Sequence, residues 1–245
     1  MTEMLSTSFF WVALVQIIFI NIMLSGDNAV VIALASRSLP PKQQKQAIMF
    51  GSLGAIVLRI VLTFFAAMLL QQPYLKLIGG ALLLWIGASM MVTDDGEADL
   101  DAHSYLWAAI RTIIVADLVM SLDNVIGVAA AAKGNVALLV IGLGISIPLI
   151  IVGSQMILKL MERFPIVITL GAALLGWVAG EMLISDTAIA NWVETDAHAL
   201  HTAVPVICTI FVVLAGRWMD ARAKRKVAEE KPVIEAEAAE PVKSV

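Results

Sequence analysis

Seven apolar runs of about 20 residues each follow one another along the chain, at about 9–35, 47–70, 75–93, 106–132, 136–158, 165–185 and 202–219. A hydrocarbon core about 30 Å thick is crossed by about 20 helical residues, so each run is long enough to span a bilayer. In lipid every backbone N–H and C=O must be satisfied within the protein, which makes each run a helix. The expected fold is all-α: a polytopic membrane protein of seven transmembrane helices joined by short loops. Composition agrees, since 60% of the 245 residues are hydrophobic and only 15% are charged, too apolar a balance for a soluble surface.

Turn and charge signals mark the cuts: Pro40-Pro41, Gln71-Gln72-Pro73, Asp94-Asp95-Gly96-Glu97, Lys133-Gly134-Asn135, Arg163-Phe164-Pro165 and the polar stretch from Ser185 to His201. The first run has no basic residue before it and is too long for a signal-peptide core, so it is read as a retained helix. Basic residues fix the orientation. Arg37, Lys42 and Lys45, then Lys159 and Arg163, then Arg217, Arg222, Lys224, Arg225 and Lys226 fall in alternate loops, against only Lys76 and Lys133 opposite. Basic loops stay cytoplasmic, so the N-terminus (1–8) is expected outside and the C-terminus inside. The acidic loop Thr93–His103 sits inside by this count, helped by Arg111. The expected division is a transmembrane domain at 9–220 and a mobile, Ala-, Glu- and Lys-rich tail at 221–245.

Within the apolar runs one short pattern occurs twice. Leu24-Ser25-Gly26-Asp27-Asn28-Ala29 and Met120-Ser121-Leu122-Asp123-Asn124-Val125 share the core Ser-x-Asp-Asn, 96 residues apart (123−27). A second pair, Gly79 to Gly87 and Gly171 to Ala179, matches at an offset of 92 (171−79) with Trp85 over Trp177. The chain therefore reads as helices 1–3 (about 9–93) repeated as helices 4–6 (about 106–185), plus a seventh helix at about 202–219. An odd number of spans per repeat inverts the second copy, an arrangement found in secondary transporters with midplane sites.

An ionised side chain at mid-bilayer costs about 2.5–3.5 kcal/mol on the lenient insertion scale, so each repeated acid needs a partner or a function. Asn21, Ser25 and Asn28 lie at i, i+4 and i+7, as do Asp117, Ser121 and Asn124, and each trio forms one stripe on a helix. Asp27 and Asp123 flank these stripes, and Gly26 permits a local break that turns Asp27 inward, whereas Leu122 takes its place in the second copy. Carboxylates, carboxamides, hydroxyls and freed carbonyls are hard oxygen donors, suited to magnesium, calcium or manganese. The metal candidates are Asp27, Asn28, Asp117, Asp123 and Asn124, with Asn21, Ser25, Ser121, Arg59, Glu181, Met23 and Met120 as supporting positions.

Each of these residues also has an ordinary structural role. Met23 and Met120 suit core packing, and Arg59 suits a structural ion pair with Asp27, Asp117 or Asp123. Glu181 suits a helix end at the interface, and the doubled motifs suit a polar clamp between helices. Asp27, Asp117, Asp123 and Glu181 together outnumber the single buried cation Arg59, so cation or proton coupling follows. His198 and His201, with Glu194 and Asp196, read as a solvated loop, and the lone Cys208 supports no disulfide chemistry. The cluster Arg222, Lys224, Arg225 and Lys226 suits an anchor against anionic lipid. No nucleotide loop or nucleophile elbow is present, and the net charge of −4 from loops and tail gives no nucleic-acid signal. The chain is not expected to be an enzyme.

The two acid motifs, Arg59 in Gly54-Ala55-Ile56-Val57-Leu58-Arg59, and the segment Gly176-Trp177-Val178-Ala179-Gly180-Glu181-Met182-Leu183-Ile184-Ser185-Asp186 resemble the TerC family of bacterial inner-membrane proteins, in its short seven-helix YjbE-type branch. The resemblance covers about Phe9 to Trp218. It implies an inverted three-plus-three repeat related to lysine-exporter-like transporters, and export of manganese, in some members for metal loading of secreted enzymes. Its name links it to tellurite resistance, a stress phenotype. The expected function is a secondary transporter exporting divalent metal ions, most simply Mn2+, across the inner membrane with proton exchange. A lysine-exporter-type amino-acid exporter and a non-transporting stress scaffold are the alternatives. No prosthetic cofactor is expected; the partners are the lipid bilayer and the transported metal ion, with homo-oligomerisation left open.

Overall fold

The computed structural model describes residues 8–23, 26–69, 72–92, 102–132 and 135–238. The elements are helices α1 (Ser8–Met23), α2 (Gly26–Ser36), α3 (Pro41–Leu69), α4 (Leu75–Ser89), α5 (Ala102–Ala132), α6 (Val136–Arg163), α7 (Ile166–Ile184), α8 (Ala190–Asp196) and α9 (Leu200–Ala238). No strand occurs among the described residues.

Among the described residues, five helices are apolar over a length that crosses a membrane, within 41–65, 105–122, 140–163, 166–184 and 200–225. The third expected span is the shorter α4, whose 15 residues cover about 22 Å at the helical rise, less than the hydrocarbon thickness of about 30 Å. The first expected span is carried by α1 and α2 together. The break proposed at Gly26 adjoins Leu24 and Ser25, which lie outside the described residues. In the second copy α5 is unbroken through Leu122.

Two segments depart from the sequence reading. The loop expected between Ser185 and His201 contains the short helix α8. Where composition predicts a mobile tail from 221 onward, α9 continues as helix to Ala238. Its Ala, Glu, Lys and Arg residues have low intrinsic helix cost, and they extend a helix already nucleated in the apolar part.

The core lies where α2 to α7 meet. Val31 and Leu34 of α2 pack there with Ile48 and Ile56 of α3, Leu83 and Ile86 of α4, Ile113 and Val119 of α5, Leu143 of α6 and Leu175 of α7. The most extensive helix pairings are α3 on α5 and α9 on α7. Helix α4 packs on α7, and α1 and α2 both pack against α5 and α6. Outside this core Val57, Phe64, Trp85, Leu149, Met156, Leu170, Ile207 and Leu214 are exposed. Such a surface suits hydrocarbon, because lipid takes the place of a second apolar layer.

Close crossing of α7 and α9 depends on two small residues. A Cβ on Gly176 would lie 2.7 Å from the Thr209 Cα, and one on Gly180 would collide with the backbone of Pro205. Small residues four apart let two helix backbones approach where hydrophobic burial gives no drive in lipid.

Asp186, fully buried just beyond α7, ties that end of the bundle together. Its Oδ1 accepts the N–H of Tyr74 at 2.9 Å and of Ala188 at 2.8 Å, and its Oδ2 accepts those of Lys76 at 2.9 Å and Leu77 at 3.2 Å. Tyr74 stands left-handed at φ 70° before α4, so Asp186 supplies from a distant segment the cap that Tyr74 cannot. Burial acts to raise the Asp186 pKa, but these N–H donors together outweigh it and hold the carboxyl below its ordinary value.

Candidate cation-binding centre

Packing of α3 on α5 brings Arg59 to Asp117 and Ser121, which lie at i and i+4 on α5. Arg59 is 1% exposed. Its Nη2 reaches the Asp117 Oδ1 at 2.6 Å, and its Nε donates to the Ser121 Oγ at 2.9 Å. The Ser121 hydroxyl in turn donates to the Asp117 Oδ2 at 3.1 Å. Both oxygens of Asp117 are therefore engaged. Of the acids that sequence reading offered to Arg59, Asp117 pairs with it, and the Asp123 side chain lies outside the described residues.

On α2, Asp27 lies in the first helical turn, where the N-terminal dipole favours a negative charge. It is half-buried, and its Oδ1 accepts the N–H of Asn28 at 2.8 Å. Helix α2 packs against both α3 and α5, which carry Arg59 and Asp117. The neighbouring Asn28 side chain is only 2% exposed, and neither its Nδ2 nor its Oδ1 has a hydrogen-bond partner. A buried polar group without a partner costs about 1–3 kcal/mol, so an unpartnered carboxamide beside a carboxylate marks a candidate binding position.

The remaining candidates divide. Ser121 is buried in the centre, and Met120 is buried in the apolar core, in keeping with packing. Asn124 is half-buried on the Asp117–Ser121 stripe and already makes a contact. Glu181 is exposed on α7 and is not among the buried charges. The side chains of Asn21, Met23 and Asp123, and Ser25 as a whole, lie outside the described residues. No group of three or more His, Cys, Asp or Glu side chains placed to hold a metal occurs among the described residues. The donor set here is mixed instead, with a carboxamide beside Asp27 and a hydroxyl beside Asp117.

Two features were not recognised from sequence. Pro148 stands inside α6, which packs against α2. Proline has no N–H for the carbonyl four residues earlier, so the Gly144 oxygen is released from the helical ladder. A Cβ on Gly144 or on Gly26 would meet nothing within 4 Å, which leaves open space on both helices. The signal was a proline within an apolar run. The other is Ser52 on α3, buried with its Oγ unpartnered.

Comparison with known proteins accords with this architecture. The model of the TerC integral membrane protein family matches residues 6–224. Among curated relatives, the uncharacterized membrane protein YjbE of Bacillus subtilis is 43% identical over 204 residues, covering 83% of this chain and 93% of its own length. The uncharacterized membrane proteins YceF and YkoY of the same organism are 25% and 27% identical, covering 74% and 78% of this chain and 74% and 65% of their own lengths. No solved structure matches the chain. With a family model spanning nearly the whole helical bundle and a close relative of almost equal extent, the chain belongs to the TerC family of integral membrane proteins.

Proposed function

We propose that the chain is a secondary transporter that exports a divalent cation, most simply Mn2+, from the cytoplasm across the bacterial inner membrane without altering it chemically. The observation that carries this reading is the buried Asn28 carboxamide, unpartnered on both polar atoms, beside Asp27 and on a helix packed against those that carry the Arg59–Asp117 pair. In lipid such a group persists where a ligand completes it. The donors are hard oxygens, which favours Mn2+, Mg2+ or Ca2+ over copper or zinc. Manganese in particular rests on the family resemblance.

Helix packing supports an inverted repeat. Exchanging α1 and α2 with α5, α3 with α6, and α4 with α7 carries α3 on α5 onto α6 on α1 and α2. The same exchange carries α4 on α5 onto α7 on α2, and it leaves α4 on α7 and α3 on α6 unchanged. A site shared between the two copies, at the ends of α2 and within α5, suits alternating access by rocking one repeat against the other. Counting α1 with α2 as one span gives the seven-span topology, with the N-terminus outside and the C-terminus inside by the distribution of Lys and Arg.

The test is uptake into proteoliposomes of Mn2+, Mg2+, Ca2+ and lysine, with and without a pH gradient. Mn2+ flux accelerated by the gradient is the expected result. Lysine flux without metal flux would replace this reading with an amino-acid exporter, and no flux of any solute would favour a scaffold. Direction is read in cells lacking native manganese efflux, where the wild type is expected to lower accumulated manganese and Asp27→Ala to leave it high.

A further inference from the structure

We infer that the Ser52 hydroxyl on α3 is an oxygen ligand of the transported divalent cation, on the side of the centre that faces the α2–α3 turn. The inference rests on reading the chain as a cation transporter, and adds to its site a ligand that the repeated motifs do not supply.

A buried serine in a helix has a ready partner in the carbonyl four residues earlier. Among the described residues Ser36 takes the Ile32 oxygen at 2.7 Å, Ser146 that of Gly142 at 3.0 Å and Ser154 that of Ile150 at 2.7 Å, while Ser121 bonds to Asp117. Ser52 is as deeply buried, at 1% exposure, and its Oγ has no partner. Alanine would fill the same space without the cost of stripping a hydroxyl of water. A hydroxyl kept there and left open is a ligand atom for something that comes and goes.

Its position ties it to the groups already described. Every buried side-chain nitrogen or oxygen without a partner, among the described residues, lies on α2 or α3: on Asn28, on Ser52 and, in the first turn of α3, on Gln43. Helices α2 and α3 pack together and are joined by the short turn 37–40. At the helical rise Asn28 stands about 12 Å from Ser36 at the end of α2, and Ser52 about 16 Å from Pro41 at the start of α3. The two therefore lie within one helical turn of the same depth. Ser52 also precedes Arg59 by seven residues (59−52), about 20° from it around α3 and about 10 Å nearer the turn, so it shares the face that meets Asp117. Hydroxyl, carboxamide and carboxylate oxygens from two packed helices make a hard donor set for Mn2+, Mg2+ or Ca2+.

Full-length protein purified in detergent is titrated with Mn2+ and with Cd2+ by calorimetry, and melted without metal. The variants are Ser52→Ala, Ser52→Cys and Asp27→Asn. Both changes at Ser52 are close to its size, because this stretch of α3 is tight: a Cβ on the adjoining Gly51 would lie 2.8 Å from the Ile113 Cδ1. Ser52→Ala removes no hydrogen bond of the protein, so it is expected to melt at or above the wild-type temperature, yet to bind Mn2+ about tenfold more weakly. Ser52→Cys exchanges a hard oxygen for a soft sulfur, and is expected to raise the preference for Cd2+ over Mn2+ at least about tenfold above wild type. A serine that only packs would move neither quantity. Wild-type affinities in both Ser52 variants, or an unchanged Cd2+ preference in Ser52→Cys, overturn the inference while Asp27→Asn still abolishes Mn2+ binding. A wild type that binds no Mn2+, or Asp27→Asn binding it like the wild type, overturns the site reading itself, and with it this inference.

Discussion

Arg59 on α3 and Asp117 on α5 meet at 2.6 Å, with side chains 1% and 8% exposed, across the most extensive helix pairing of the bundle. Their contact does two things at once. It fixes the rotation of α5 that puts Asp117 and Ser121 toward α3, and it holds a permanent positive charge on a helix packed against α2, which carries Asp27. Stability and the proposed ion binding thus meet at one buried pair.

Removing one partner of that pair is expected to be costly. Asp117→Ala leaves the Arg59 guanidinium without this carboxylate, and breaking a buried pair from one side costs about 3–5 kcal/mol. Thermal melting of the purified variant in detergent should show a large drop, and a melting temperature equal to wild type would contradict the buried pairing.

Asn28 carries the opposite expectation. Its unpartnered carboxamide is a local cost in the metal-free protein, so Asn28→Leu, of similar volume, is expected to melt at or above the wild-type temperature. The stabilisation that added Mn2+ gives the wild type should disappear in the same variant. A variant that melts lower without metal, yet keeps the metal-dependent rise, would show that Asn28 serves packing alone.

Asp186 links stability to acid. Its folded-state pKa lies below the ordinary value, so its contribution is present at neutral pH and is lost as pH falls through the ordinary value and then the depressed one. Asp186→Ala strands three backbone N–H groups at the start of α4, those of Tyr74, Lys76 and Leu77, and that of Ala188, at an expected cost of about 1–3 kcal/mol at neutral pH. The gap in melting temperature between wild type and variant should narrow in the acid range below pH about 4. A gap independent of pH would mean that the carboxylate charge plays no part.

The α7–α9 crossing makes a packing prediction. Gly180→Leu cannot be accommodated without moving the Pro205 backbone, so α9 is expected to separate from α7 and to become sensitive to protease in membranes. Unchanged protease resistance would show that the two helices do not need their close approach.

Apolar run length and repeated motifs carried most of the architecture in the sequence. Long runs recorded the helices because lipid leaves no other backbone choice, and Ser-x-Asp-Asn drew attention to Asp27 because acids in lipid are costly. Less was legible where partners are far apart in sequence. That Arg59 pairs with Asp117 depends on the rotation of α3 against α5, which periodicity does not encode. Helix α4 is shorter than its apolar run suggested, because the turn after Ser89 ends it early. The Asp186 cap had a signal: Ser185-Asp186 repeats Thr93-Asp94 at the offset of 92 (186−94) already seen for the glycine–tryptophan pair. Its meaning emerged only when the carboxylate was found on the N–H groups of another helix.

The central claim is that Asp27 and its orphaned neighbour Asn28 bind the transported cation. Its most direct test is Mn2+ flux into proteoliposomes by wild type and by Asp27→Asn reconstituted at equal density and equal melting temperature. Saturable Mn2+ flux by the wild type and its loss, to the level of protein-free vesicles, in Asp27→Asn is the predicted result. Equal flux through both proteins would contradict the claim.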